Sequence, residues 1–289
     1  MLTDPELDSC RDLAVRLATR AADLIRSRPP GRVSTKADPA DVATELDVAI
    51  ERAVRDAVRE RFPGHRVIGE ELGEDAPDLG RRGDGAGDLG TRGGGVASGA
   101  PGPAPTWYVD PVDGTTNLAA GIPWCSVSLA LADDAGPAVG VVADAWRGQV
   151  YAAVRGRGAT CDGVPVHCGD ARALDGAVVL TELAGHRPWP GQFDLITRLS
   201  QSYCTVRVMG SSALSLALVG AGRATAAVLG SHNPIDDLAG VVIAREGGAL
   251  VCGRSGPEPG PDGVLAAAPG VADLVRAAWS DQAPDTVVG

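Results

Sequence analysis

The sequence predicts an α+β half followed by an α/β half. Two amphipathic helical stretches lead into a run of short apolar strands before residue 155. From about Ala177 the rhythm changes to strands alternating with helices, the pattern of an α/β fold. No internal repeat is visible. The division is therefore expected to give an N-terminal part over 1–155 and a C-terminal part over 156–289.

The first helix is read from Asp4-Pro5, an N-cap followed by Pro at the first helical position. Leu7, Leu13, Leu17, Leu24 and Ile25 trace its apolar face as far as Arg28. A second helix is predicted over 44–61, where Leu46, Ile50, Val54 and Val58 recur at four-residue spacing. Residues 66–69 read as a strand that delivers Glu70 and Glu71 at its end. Residues 73–105 then hold 11 Gly and 4 Pro with almost no apolar pattern, too little to offset their ordering entropy, and predict a flexible loop. A loop of that length is either a lid or a tolerated insertion.

Beyond it, 106–109 is a short strand ending at Asp110, and Pro111 is expected to stop its ladder. Strands follow at 126–132, 137–143 and 149–154, with a hairpin turn at Asp162-Gly163. The second half reads as strands at 177–183, 204–208 and 224–229 and near 249 and 264. Its helices fall near 192–200, 212–221 and 237–246.

The charge narrows the function classes. With 26 basic against 37 acidic residues the net charge is −11, which argues against a nucleic-acid polymer or an anionic membrane as partner. No apolar run approaches the ~18–20 residues of a membrane span, and the N-terminus lacks a signal-peptide core, so a soluble, cytoplasmic protein is expected. Six cysteines without a C-x-x-C pair, and four histidines away from zinc-finger spacing, point to buried reduced thiols. Of the basic residues only Lys36 is a lysine, against a strong Arg bias, a hint that a compact ammonium is wanted there.

The most informative stretch runs from Trp107 through Asp110-Pro111-Val112-Asp113-Gly114-Thr115-Thr116-Asn117. Residues three apart on an extended strand face opposite sides, so Asp110 and Asp113 converge only if the chain bends between them. Such a bend exposes the Val112 carbonyl. Two carboxylates and a carbonyl on one turn are the hard oxygen ligands Mg²⁺ prefers. The Gly114 and Thr115 amides would offer an anion site beside them.

Together with Gly69-Glu70-Glu71 and Asp236-Asp237-Leu238-Ala239-Gly240, this string resembles the inositol monophosphatase family, within the superfamily that includes fructose-1,6-bisphosphatases. Weaker blocks fall in family order: Lys36 with 41–47, Gly210-Ser211-Ser212-Ala213-Leu214, and Glu246-Gly247-Gly248. The resemblance implies a layered α-β-α-β-α sandwich and a homodimer. It implies two or three Mg²⁺ ions held by Glu70, Asp110, the Val112 carbonyl, Asp113 and Asp236. Asp47 and Thr115 would orient or deprotonate the attacking water. Gly114, Thr115, Thr116, Gly210, Ser211 and Ser212 would contact phosphate or substrate, and Lys36 would offset surplus carboxylate charge.

The implied reaction is Mg²⁺-dependent hydrolysis of a small phosphorylated polyol, sugar or related metabolite by in-line attack of a metal-activated water. A histidinol-phosphate phosphatase, a specialised biosynthetic sugar or nucleoside phosphatase, and a non-catalytic binding or regulatory protein of the same fold stand as alternatives. The departures lie on the substrate side. Ile235 stands where the family usually has Trp. Leu229 stands where inositol-cleaving members carry an acidic residue that binds a ring hydroxyl, a bond leucine cannot accept. Thr116, where nucleotide-directed relatives carry Lys, favours the inositol monophosphatase-like branch.

Overall fold

The structure, a computed structural model, describes residues 1–36, 42–75 and 104–280. Helix α1 (Asp4–Ser27) opens it, with Thr3 rather than Asp4 as its N-cap. The Thr3 N–H and hydroxyl both donate to the Glu6 carboxylate at 2.7 Å, a reciprocal cap that leaves Asp4 as a first-turn acid. A two-stranded ribbon, β1 (Val33–Thr35) and β2 (Val42–Thr44), leads into α2 (Glu45–Arg61).

The first sheet takes β3 (Arg66–Gly69), β4 (Gly73–Asp75) and β5 (Thr106–Asp113) before the short helix α3 (Thr115–Ala120). It continues through β6 (Ser126–Asp133), β7 (Gly136–Asp144), β8 (Gln149–Val154), β9 (Ala159–Cys161) and β10 (Val164–Val166). The strand order is β10-β9-β8-β7-β6-β5-β3-β4, antiparallel except where β3 runs parallel to β5. Asp162 and Gly163, both at positive φ, make the predicted hairpin turn between β9 and β10.

Then come β11 (Val178–Thr181), α4 (Gln192–Gln201), β12 (Thr205–Val208), α5 (Ser212–Gly220), β13 (Ala226–Leu229), α6 (Pro234–Glu246), β14 (Leu250–Cys252), β15 (Val264–Ala267) and α7 (Ala272–Ser280). Their sheet is ordered β12-β11-β13-β15-β14. Its β11 is parallel to both neighbours and its β15 antiparallel to both.

Three apolar cores fix the layers. Val127, Leu129 and Leu131 of β6 pack with α1 and α2, while Ala130 faces the opposite core with α5 and α6. The period of two along one strand thus serves both faces of a sheet buried on each side. In the second sheet Leu180, Ala227 and Leu229 join that middle core, and Val179 and Val228 face α4 and α7. The order helix, sheet, helix, sheet, helix is the layered sandwich the resemblance implied. A Cβ on Gly240 would lie 2.7 Å from the Ala213 carbonyl, so glycine lets α5 and α6 cross closely in the middle layer.

Several expectations are corrected. Residues 73–75 are not loop: they form β4, registered Gly73 to Gly69, and Arg55 donates to the Gly73 carbonyl. The remainder of the Gly/Pro-rich stretch, 76–103, lies outside the described residues, as does Asp41. Pro111 does not end its strand, because β5 bulges there and continues to Asp113. Helix α6 begins at Pro234 and not near 237, because the Asn233 side chain caps it, and Asp236 lies in its first turn. All six cysteines are free thiols, five of them buried. Among the described residues no helix is long and apolar enough to cross a membrane.

Candidate active site

The bulge in β5 solves the convergence problem set by the sequence. Asp110 pairs with Ser128 and Asp113 with Ser126, so β5 advances three residues while β6 advances two. Ser126 and Ser128 share a face of β6, and the extra residue brings Asp110 and Asp113 to one face as well. The Val112 N–H donates to Asp110 Oδ1 at 3.0 Å, which holds the bend. Pro111 sits in the bulge, where it has no N–H to leave unpaired. Gly114 turns the chain at φ +104°, and a Cβ there would lie 2.8 Å from the Gly210 carbonyl oxygen.

Four other elements meet this turn. Asp47, fully buried on the first turn of α2, accepts from the Thr44 N–H at 3.0 Å and from the Thr44 hydroxyl. Its other oxygen lies 3.1 Å from the Thr115 hydroxyl, which is also 2.8 Å from the Val112 carbonyl oxygen. Glu70 follows β3 and pairs with Lys36 Nζ at 2.8 Å, while Glu71 Oε1 lies 2.6 Å from the same ammonium. At the start of α5, the Ser211 hydroxyl and the Ser212 and Ala213 amides donate to Asp113 at 2.6, 3.1 and 2.8 Å. Asp236 comes from α6 and accepts from Asn233 Nδ2 at 3.0 Å.

Glu70, Asp110, Val112, Asp113 and Asp236 line one cavity of about 510 Å³, together with Gly114, Thr115, Thr116, Gly210 and Ser212. Ser211, also expected to contact substrate, is instead turned inward, 1% exposed, with its hydroxyl on Asp113. Leu229 is 3% exposed at the end of β13 and belongs to the middle core. Leu183, His186, Val208 and Met209 also line the cavity, residues that carry no motif and were not singled out in the sequence.

Crowding of like charge dominates the electrostatics. Burial, then the charges of Glu70, Asp113 and Asp236, pushes the Asp110 carboxyl well above the ordinary range. Burial, then Asp113 and Glu70, raises Asp236 to about 7. Asp113 is raised to about 6, burial outweighing the Ser211, Ala213 and Ser212 donors. Asp47 is also raised by burial, against its Thr44 and Thr115 hydrogen bonds. Lys36 loses some basicity to burial but gains more from Glu70 and Glu71, so its ammonium is held firmly charged.

These donors suit Mg²⁺. They are hard oxygens, four carboxylates and one carbonyl, whose mutual repulsion a divalent cation would relieve. They face one space without closing on a single point. Among the described residues no three His, Cys, Asp or Glu side chains form a compact cage.

Two supports escaped the sequence reading. Glu51, fully buried on α2, accepts from the Glu71 and Leu72 amides at 2.7 and 3.1 Å and from Arg55 Nε at 2.8 Å. Their four-residue spacing on one predicted helix was the available signal. Glu182, 4% exposed just past β11, accepts from the Met209 and Gly210 amides and the Ser215 hydroxyl. An acid placed directly after an apolar strand was its only mark.

Known proteins resemble this chain in sequence and in fold. Human inositol monophosphatase 2 is 34% identical over 259 residues, covering 86% of this chain and 82% of its own length. The Nus factor SuhB of Pasteurella multocida is 32% identical over 250 residues, covering 85% of each chain. Among solved structures, Mycobacterium tuberculosis SuhB superposes with a TM-score of 0.71 at 29% identity, over 95% of this chain and 98% of that one. The Thermotoga maritima IMPase does so at 0.77 and 25% identity, over 93% and 95%. A sequence profile of the inositol monophosphatase family matches residues 6–282, nearly the whole length, and the chain belongs to that family of phosphatases.

Proposed function

We propose that this chain is a Mg²⁺-dependent phosphomonoesterase that acts on a small phosphorylated polyol, sugar or related metabolite. One observation carries the reading: Glu70, Asp110, Val112, Asp113 and Asp236, from the end of β3, from β5 and from α6, line the same cavity as Thr115. Those five would hold the metal. When bound, Mg²⁺ would neutralise charge on the phosphoryl oxygens and leaving alkoxide and make water easier to deprotonate. Glu70 would exchange part of its pairing with Lys36 for that role.

The chain's own groups supply the proton path. The Thr115 hydroxyl takes a proton from the attacking water by passing its own to Asp47 Oδ1, 3.1 Å away. Burial raises the affinity of Asp47 for that proton. The Gly114, Thr115 and Thr116 segment, which lines the cavity, would receive the phosphate.

The inositol-type preference is weakened by Leu229, whose buried side chain offers no acceptor to a ring hydroxyl. A phosphate-release screen with Mg²⁺ over inositol phosphates, histidinol phosphate, sugar phosphates and nucleotides tests the reading. Release from one class well above the rest names the substrate. Release from none would favour the non-catalytic reading, to which a relative named Nus factor SuhB lends weight.

A further inference from the structure

Glu182 stands outside every motif of the site, yet it holds one of the site's walls. Residues 209–213 connect β12 to α5 and carry all three close donors to Asp113. Their backbone is gripped from two sides. On one, the Met209 and Gly210 amides donate to Glu182 Oε2 at 3.2 and 2.5 Å. On the other, Asn117 Nδ2 donates to the Met209 carbonyl at 2.8 Å and to the Trp124 carbonyl at 2.9 Å. Gly210, at φ +85°, presses so near that a Cβ on it would lie 2.9 Å from Asn117 Nδ2.

The grip reaches into α5 and back to the cavity rim. Glu182 Oε1 accepts the Ser215 hydroxyl at 2.7 Å, which ties the first turn of α5 to the same carboxylate. Its own carbonyl accepts from Gln192 Nε2 at 2.9 Å and Trp189 Nε1 at 3.1 Å. The residue is thereby fixed at both ends, and the segment from Leu183 to His186 that lines the cavity leaves from a rigid point. A buried carboxylate is a costly way to satisfy two amides and a hydroxyl, since its charge must leave water. An apolar side chain would serve packing as well. What an alignment role requires is the paired acceptors: one oxygen takes both amides while the other takes the Ser215 hydroxyl.

We propose that Glu182 is a positioning residue of the phosphatase site: it holds 209–215 in register so that Ser211, Ser212 and Ala213 keep Asp113 oriented toward the cavity. The inference rests on the phosphatase reading above. Partners behind metal ligands typically govern about 10- to 100-fold of metal affinity, which sets the scale of the effect.

The test compares wild type, Glu182→Ala and Glu182→Gln by calorimetric Mg²⁺ binding and by the Mg²⁺ half-saturation of phosphate release. Both are measured well below each variant's melting temperature, where the folded fraction is near one and leaves the apparent affinity unchanged. Glu182→Ala is expected to weaken Mg²⁺ about 10-fold in both assays. Glu182→Gln can turn its Oε1 to the two amides and its NH₂ to the Ser215 hydroxyl, and is expected to recover most of that loss. Should Glu182→Ala not fold, Ser215→Ala removes one of the three bonds and is expected to weaken Mg²⁺ by about 2- to 3-fold. Variants with wild-type Mg²⁺ binding and half-saturation would overturn the proposal even if their melting temperatures fell. A wild type that is active and binds Mg²⁺ while Glu182→Ala matches it defeats only this inference. A wild type that does neither defeats the phosphatase reading with it.

Discussion

The Thr115 hydroxyl stands 3.1 Å from Asp47 Oδ1, joining side chains that lie 68 residues apart in sequence. Asp47 has its other oxygen committed to Thr44, so the oxygen facing Thr115 is the one open to a proton. Thr115→Ala removes the relay and is expected to lower kcat for phosphate release by about 10²- to 10⁴-fold, the range of general acid–base catalysis. Thr115→Ser keeps the hydroxyl and should recover most of it. Equal rates for wild type and Thr115→Ala in a Mg²⁺-saturated assay would exclude the relay.

Gly114 occupies backbone that L side chains rarely adopt, and a Cβ there would meet the Gly210 carbonyl at 2.8 Å. Gly114→Ala is expected to lose about 1–3 kcal/mol of stability from strain, read by urea denaturation. It should also reduce phosphate release, because the turn it distorts carries Asp113 and Thr115.

Glu51 and Arg55 form an ion pair in the interior, 0% and 4% exposed. Arg55→Ala would leave the buried Glu51 carboxylate without its counter-charge, a loss of about 3–5 kcal/mol in unfolding free energy. Since Glu51 also holds the Glu71 and Leu72 amides, Mg²⁺ affinity should fall alongside stability. A calorimetric Mg²⁺ titration of the variant checks this.

The raised carboxyls give the metal-free chain a definite pH dependence. Asp113 and Asp236 titrate at about 6 and about 7 when folded, against an ordinary value of 3.8. Through that window the folded chain binds more protons than the unfolded one, so the stability due to these groups falls as pH rises. Mg²⁺ prefers the ionised carboxylates and should raise Tm more near pH 7.5 than near pH 5. Thermal scans with and without Mg²⁺ at both pH values measure it, and an equal rise at each would contradict the assigned ligands.

Much of this site was legible because its residues are chemically conspicuous. Acids at the ends of apolar strands, with Gly114 permitting a turn, declare a function that packing does not need. The long helices α1 and α2 were equally clear from their apolar spacing. What stayed hidden depends on contacts across the chain. The β5 bulge is defined only against β6, and Thr3 and Asn233 cap helices through side-chain geometry that neighbouring Asp residues mimic in sequence. Short pieces such as β1, β2, β4 and α3 carry too few residues for a period to show. Glu182 looks like any strand-end acid until Met209, Gly210 and Ser215 are seen around it.

The central claim is that the carboxylates on β5 serve a metal-dependent phosphate hydrolysis. Phosphate release from a generic phosphomonoester, measured with Mg²⁺ for wild type and for Asp110→Asn, addresses it most directly. Wild type is expected to release phosphate only while Mg²⁺ is present, and Asp110→Asn is expected to fall to background while remaining folded. Release by Asp110→Asn at the wild-type rate would contradict the claim.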